Sequence, residues 1–151
     1  MDHPSYELTV LKEAHRFDFV SIGWTAIHKA VIFFTTKAPG LYNLVLADIL
    51  ADGELDIYSV SDNGDMKFIL STVHQTIIHF LTLNPKAVIW FTGSTESRTR
   101  LYQIAISSNL KALEENFNVF GILKKEGSSE AFRKGSIYEH FFICRKNVRF
   151  V

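Results

Sequence analysis

An α+β fold is predicted for this 151-residue chain, with a mostly antiparallel β-sheet and two main helices packed on it. Three observations support the prediction. β-rich runs separated by turn residues fill the first third, a run of apolar residues at steps of three and four follows, and strand-like segments return near the end. Because no repeat, low-complexity tract or linker divides the chain, we expect a single domain over residues 1–151.

The first third has the alternating pattern of an antiparallel meander. Apolar side chains alternate with other residues along the first runs, as in half-buried strands. Three turn signals separate the runs, at Gly23-Trp24, Lys37–Gly40 and Asp52-Gly53. Four strands are expected here, at Arg16–Ile22, Thr25–Thr36, Leu41–Leu50 and Leu55–Val60.

The middle of the chain changes to a helical period. Seven apolar residues at helical spacing predict a helix over Met66–Leu81 that forms the core of the domain. Asp62 or Asp65 can cap its start, and Asn84-Pro85 ends it. The stripe comprises Met66, Ile69, Leu70, Val73, Ile77, Phe80 and Leu81.

The remaining elements follow from the same signals. Ala87–Phe91 is apolar on both faces, which indicates an interior strand. A second helix is expected over Glu96–Ser108, broken or capped by Asn109, with one more turn over Leu110–Glu115. The closing strands are expected at Asn118–Leu123 and Ile137–Arg145, with a polar loop over Glu126–Gly135 between them.

Composition restricts the class of protein. Sixteen basic residues balance sixteen acidic ones, which disfavours a uniformly basic nucleic-acid binder. The lone Cys144 cannot form an internal disulfide, and the six histidines have no metal-ligand spacing, so no metal and no cofactor is expected. The start of the sequence lacks a signal peptide and no apolar run reaches membrane length. A cytoplasmic protein without membrane contact is the expectation.

Two motifs resemble a known family. Asn63-Gly64-Asp65 forms one, and the other is the ten-residue segment Gly93–Tyr102, which reads Gly-Ser-Thr-Glu-Ser-Arg-Thr-Arg-Leu-Tyr. The chain is similar, from about Phe17 to Phe142, to a family of small uncharacterised bacterial proteins, a domain of unknown function. That resemblance implies a single-domain fold and a bacterial origin, and it brings no activity.

The second motif is also the candidate binding site. A buried strand that runs through Gly-Ser-Thr into a helix places backbone N–H groups at a helix N-terminus, where anions bind readily. Hydroxyl and guanidinium groups in the segment suit a phosphate. The expected anion-binding residues are Gly93, Ser94, Thr95, Ser97, Arg98 and Arg100, with Asn63, Asp65 and Tyr102 as possible neighbours.

A structural interpretation of the same residues remains open. Ser94 or Thr95 can be an ordinary N-cap, Glu96 can pair with Arg100, and Arg98 can pack its stem on Tyr102. Asn63-Gly64-Asp65 is also explained by turn chemistry alone.

Two functions therefore follow from the sequence. The first is a non-enzymatic binding or interaction module, possible as a homodimer. The alternative is a phosphate-directed protein that binds nucleotide or nucleic acid, or performs phosphoester chemistry, with the Gly93–Arg100 loop.

Overall fold

Nine strands and three α-helices lie within the part of the chain that the structure describes. The structure is a computed structural model, and it describes residues 4–58 and 62–148. The strands are β1 Thr9–Leu11, β2 Arg16–Ile22, β3 Ala26–Thr35, β4 Leu41–Ile49, β5 Leu55–Asp56, β6 Val88–Phe91, β7 Phe117–Leu123, β8 Ser129–Ala131 and β9 Tyr138–Arg145. The helices are α1 Met66–Leu83, α2 Glu96–Ser108 and α3 Leu110–Glu114.

The strands form one sheet in the order β1-β2-β3-β4-β6-β9-β7-β8, with β5 paired to β4. The pairs β1–β2, β2–β3, β4–β5, β6–β9, β7–β8 and β7–β9 are antiparallel, and β4–β6 is parallel, with Leu41 opposite Val88. A parallel pair needs a long crossover connection, and α1 lies in that connection. The predicted α+β class, with a mostly antiparallel sheet and two main helices, is confirmed.

The chain divides into two compact units. The first comprises Met1–Phe34 and Leu44–Leu83, and the second comprises Thr35–Asn43 and Asn84–Val151. Strand β4 contributes residues to both, because the division falls between Asn43 and Leu44. A single domain over residues 1–151 stays a prediction.

Helix α1 is the core element of the first unit. Its stripe residues Ile69, Val73, Ile77, Phe80 and Leu81 are buried, as predicted, whereas Met66 and Leu70 are half-buried. The Phe80 ring stacks on Phe33 of β3 at 4.2 Å between centroids. The helix continues two residues beyond the predicted Leu81 and ends before Asn84-Pro85.

An ion pair between a buried lysine and an aspartate also lies within the first unit. Lys29 on β3 is 2% exposed, and its Nζ lies 2.5 Å from Oδ1 of Asp48 on β4. A buried ammonium group is tolerated only with such a partner, because desolvation without one is strongly unfavourable.

The second unit has its own aromatic core. Phe91 of β6 stacks on Phe141 of β9 at 5.4 Å, and the buried Tyr102 of α2 meets Phe91 edge-on at 5.6 Å. Strand β6 is interior, as predicted, since β4 and β9 flank it. Its faces differ, because Ile89 and Phe91 are buried while Val88 and Trp90 are half-buried.

Several local predictions were wrong. Strands β1 and β8 were not predicted, and β8 lies inside the expected loop Glu126–Gly135, where three residues pair with β7. Strand β5 stops at Asp56, and Val60, the predicted end of that strand, lies outside the described residues, as do His3, Ser61 and Arg149.

Candidate functional site

The loop between β6 and α2 ends in a side-chain cap. Thr95 has extended backbone angles, and its Oγ1 accepts a hydrogen bond from the backbone N–H of Arg98 at 3.1 Å. This is the geometry of an N-cap residue, which satisfies one of the free N–H groups of the first helical turn. Of the two candidate caps, Ser94 and Thr95, the structure selects Thr95.

Gly93 is required by the helix that follows it. A Cβ placed on Gly93 would lie 2.2 Å from the backbone nitrogen of Thr99, a contact that real Cβ atoms do not make. The Gly93 N–H donates to Thr99 Oγ1 at 3.0 Å. The glycine therefore makes room for the first turn of α2.

A cleft of about 560 Å³ lies between α2 and β9 in the second unit. From α2 it is lined by a single helical face at spacings of three and four: Glu96, Thr99, Arg100, Gln103, Ile104, Ser107 and Ser108. From the loop and the opposite wall it is lined by Thr92, Gly93, Ser94, Thr95, Lys124, Ile137, Tyr138, Glu139 and His140.

The predicted site residues are only partly brought together. Gly93, Ser94, Thr95 and Arg100 line the cleft. Ser97 and Arg98 do not.

None of the three possible neighbours is among the residues that line the cleft. Asn63 and Asp65 belong to the first unit. Tyr102 is a core residue of the second unit. Burial raises the pKa of the Tyr102 phenol, and the nearby charge of Arg98 lowers it by a smaller amount. The influence of Arg98 on Tyr102 fits the structural interpretation, in which its stem packs on that ring.

The charge pairing at the cleft differs from the expected i,i+4 pair. Glu96 is bonded to Lys124, with 3.0 Å between Oε1 and Nζ, and this hydrogen bond lowers the pKa of the Glu96 carboxyl. Arg100 is exposed and adds a smaller lowering through its charge. Arg100, the expected partner of Glu96, is therefore a residue that lines the cleft.

His140 is a cleft residue that the sequence analysis did not select as a ligand-binding residue. The indole Nε1 of Trp90 donates to His140 Nδ1 at 3.2 Å. Because an indole nitrogen is only a donor, Nδ1 must be the acceptor, and the proton of the neutral ring is on Nε2. The N–H donor of the His140 ring is therefore at Nε2.

Gln103 ties the two walls of the cleft together. Its side-chain Nε2 donates to the backbone oxygen of Ser136, and its Oε1 accepts from the backbone N–H of Tyr138 at 3.0 Å. Tyr138 is held further by its hydroxyl, which donates to Glu130 at 2.7 Å and lowers the pKa of that carboxyl. Gln103, Tyr138 and Glu130 together fix the position of β9's first residues against α2.

The spacing along α2 was the signal that could have identified these residues. Arg100, Gln103, Ile104, Ser107 and Ser108 follow one another at the steps of one helical face. The two serines and the amide make that face polar. The residues of the opposite wall carry no such signal, because their position depends on strand pairing.

The turn Asn63-Gly64-Asp65 is a structural element of the first unit. The Asn63 amide donates to Ser21 Oγ and to the Thr25 carbonyl, both at 2.9 Å, and its Oδ1 accepts from the Thr25 N–H at 3.0 Å. Asp65 Oδ2 accepts from Ser21 Oγ at 2.5 Å. Asp62 or Asp65 was expected to cap α1. The backbone oxygen of Asp65 accepts from the Ile69 N–H at 3.1 Å, while its carboxylate Oδ2 accepts from the hydroxyls of Ser21 and Tyr6.

Cys144 belongs to strand β9. Cys144 is fully buried, and burial raises the pKa of its thiol. Within residues 4–58 and 62–148, no group of three or more histidine, cysteine, aspartate or glutamate side chains is placed to hold a metal ion. In the same ranges, no helix has both the length and the apolar character needed to span a membrane.

Comparison with known proteins gives the family. A search of curated proteins found no match to the chain, and neither did a search of solved structures. The model of one family, described as "Family of unknown function (DUF6934)", matches residues 2–146. Because this match spans nearly all of the 151 residues, the chain belongs to that family of unknown function.

Proposed function

We propose that the protein is a non-enzymatic binding module, and that the cleft between α2 and β9 takes a small organic anion. The observation that carries the proposal is the convergence of the Gly93–Thr95 loop, Arg100 and His140 on one cleft. Its volume of about 560 Å³ falls within the range of small-molecule sites, about 300–1,000 Å³.

One end of the cleft suits an anionic group. The start of α2 contributes backbone N–H groups and the positive end of the helix dipole. Arg100 supplies a guanidinium, whose paired donors match a phosphate or carboxylate. Lys124 forms an ion pair with Glu96. Arg100 interacts with Glu96 only through its charge, and within residues 4–58 and 62–148 it forms no salt bridge to a carboxylate.

The other features of the cleft suit an apolar body on the same ligand. Ile104 and Ile137 line it while 54% and 68% exposed. Large aliphatic side chains exposed beside polar groups are typical of ligand-binding surfaces. A nucleoside monophosphate has both an anionic group and a flat aromatic base whose faces can pack on aliphatic side chains, so it is a suitable probe.

The matched variants are Arg100→Ala and Arg98→Ala, which remove the same group from the same helix two positions apart. We expect adenosine monophosphate, titrated into the protein and followed by backbone amide shifts, to bind more tightly than inorganic phosphate. Arg100→Ala should weaken binding by about tenfold or more, because a charged hydrogen bond is lost, and Arg98→Ala by less than about twofold.

Two results would contradict the proposal. Equal losses of affinity in Arg100→Ala and Arg98→Ala would show that binding does not depend on the residue that lines the cleft. Unchanged amide shifts of Gly93–Arg100 at millimolar phosphate, nucleotide and short oligonucleotide would leave the loop as a helix cap only.

A further inference from the structure

We propose that the arm formed by residues 4–11 is exchanged between two copies of this chain, with Lys12–Ala14 as the hinge. The arm contains residues 4–8, which have no regular secondary structure, and the short edge strand β1. The partner is therefore a second copy, which receives the arm in the place where the first unit now holds its own. This inference is independent of the proposed ligand site.

The hinge is strained in the closed form, in which the arm packs on its own chain as in this structure. Lys12, Glu13 and Ala14 have φ angles of 52°, 55° and 64°, three successive residues with side chains in the left-handed region. L-residues other than glycine, asparagine and aspartate rarely adopt this conformation even singly, because Cβ approaches the following carbonyl oxygen. Extension of the hinge relieves all three residues at once. Strained short hinges are a known cause of segment exchange.

Tyr6 is the main anchor of the arm. Its ring lies between Phe19 at 5.8 Å and Phe68 at 5.4 Å, and its hydroxyl donates to Asp65 Oδ2 at 2.6 Å. Its backbone N–H donates to Thr72 Oγ1 at 2.9 Å. These contacts join the arm to side chains of the unit, so the arm of a second copy can make the same ones.

The edge position of β1 allows the arm to leave without disturbing the rest of the sheet. Strand β1 pairs with β2 over three residue pairs and ends the strand order. An arm that simply detached would uncover Phe19 and leave Asp65 with one hydrogen bond fewer. An arm that is replaced by another copy's arm loses none of these contacts, which is why the open form requires a partner.

A cysteine pair distinguishes exchange from closure. Thr9 of β1 lies opposite Asp18 of β2, and directly opposed residues of antiparallel strands are within disulfide range. The chain's own Cys144 is fully buried. The variant Thr9→Cys with Asp18→Cys is oxidised as a concentrated sample, and its mass is measured without reductant, beside sedimentation of the unmodified protein.

If the arm is exchanged, the unmodified protein should sediment as a dimer. The oxidised double variant should then have the mass of a covalent dimer, while the Thr9→Cys single variant should not. A monomer at all concentrations overturns the proposal. So does a dimer in which the new disulfide forms only within one chain, because that dimer uses another surface.

Two hinge variants test the strain itself. Glu13→Gly accepts a positive φ without penalty and should raise the dimer dissociation constant by about tenfold or more. Glu13→Pro fixes φ near −65°, excludes the closed hinge and should lower that constant. Equal dissociation constants for the Gly variant and the unmodified chain would overturn the proposal, even if the Pro variant does not fold.

Discussion

The two turns that precede the long helices contain similar small polar residues and use them in different ways. Before α1, Asn63 and Asp65 are 3% and 7% exposed, and their side chains bond to groups of the first unit. Before α2, Ser94 and Thr95 are exposed at the edge of a cleft. The difference shows that residue type alone does not decide whether a turn is structural or available to a ligand.

The helices explain why the turns differ. α1 buries eight residues, and Asn63 and Asp65 in the turn at its start are buried with it. Both side chains bond to groups of the first unit, although Oδ1 of Asp65 has no hydrogen-bond partner among the described residues. α2 buries only Tyr102 and Ile106, so its first turn remains at the surface. The two regions do not differ in why they need a glycine. A Cβ added to Gly23 would collide with the backbone of Asn63, and a Cβ added to Gly93 would collide with the backbone of Thr99.

The largest contrast is expected from equal truncations of the two helices. Ile77 of α1 is 4% exposed, so Ile77→Ala should lower the free energy of unfolding by about 2–5 kcal/mol through lost burial and a cavity. Ile104 of α2 is 54% exposed, so Ile104→Ala should change it by less than about 1 kcal/mol. Urea denaturation of both variants measures the difference, and equal midpoints would contradict the assignment of α1 as the core helix.

The next largest effect is expected at the turn before α1. Asn63→Ala removes three hydrogen bonds of 2.9–3.0 Å, one of which reaches the fully buried Ser21 hydroxyl and two of which hold the Thr25 backbone. Unsatisfied buried groups are unfavourable, so we expect a loss of about 2–3 kcal/mol. Ser94→Ala in the other turn is the matched control, with a change within about 0.5 kcal/mol. A comparable loss in both variants, measured by thermal unfolding, would remove the contrast between the turns.

A pH dependence should distinguish α1 in addition. Burial lowers the pKa of His74 to about 4 from its ordinary 6.5. Below pH 6.5, His74 binds a proton in the unfolded chain but not in the folded chain. The free energy of unfolding therefore falls as the pH is lowered from about 6.5 to 4, and this contribution is fully present above that range. Because the side chain is partly solvated, we expect a loss of about 1–2 kcal/mol.

His74→Gln should remove this part of the pH dependence, and the exposed His28→Gln should not. Denaturant midpoints from pH 7.5 to 4 provide the measurement. If the free energy of unfolding of His74→Gln depends on pH as that of the unmodified protein does, His74 is not the source of the pH dependence.

The sequence predicted the elements whose signal is local. The stripe from Ile69 to Leu81 identified α1 because one helix face alone determines it, and Thr95 was a candidate cap because capping acts over three residues. The edge strand β8 was missed because Ser129, Glu130 and Ala131 show no alternating pattern of large apolar residues, and only their pairing with β7 makes them a strand.

The cleft was only half predictable for the same reason. Gly93, Ser94, Thr95 and Arg100 lie in one motif. His140 reaches the site through a bond to Trp90, fifty residues away along the chain. Gln103 bonds to Ser136 and Tyr138 across 33 and 35 residues. Such distances depend on strand order, and the parallel β4–β6 pair has no local signal.

The smallest effect is expected at the turn before α2. Thr95→Ala removes one side-chain cap, the 3.1 Å bond to the Arg98 N–H, and an exposed N-cap substitution costs about 1 kcal/mol. Thr95→Ser keeps the oxygen and should restore most of that loss. Thermal unfolding of the two variants, paired with titration of adenosine monophosphate, separates the roles of this residue. If Thr95→Ala lowers stability and leaves binding unchanged, the hydroxyl is a cap alone. If binding also falls and Thr95→Ser restores both, the turn before α2 combines the structural role seen before α1 with contact to the ligand, and the contrast between the two regions is one of exposure only.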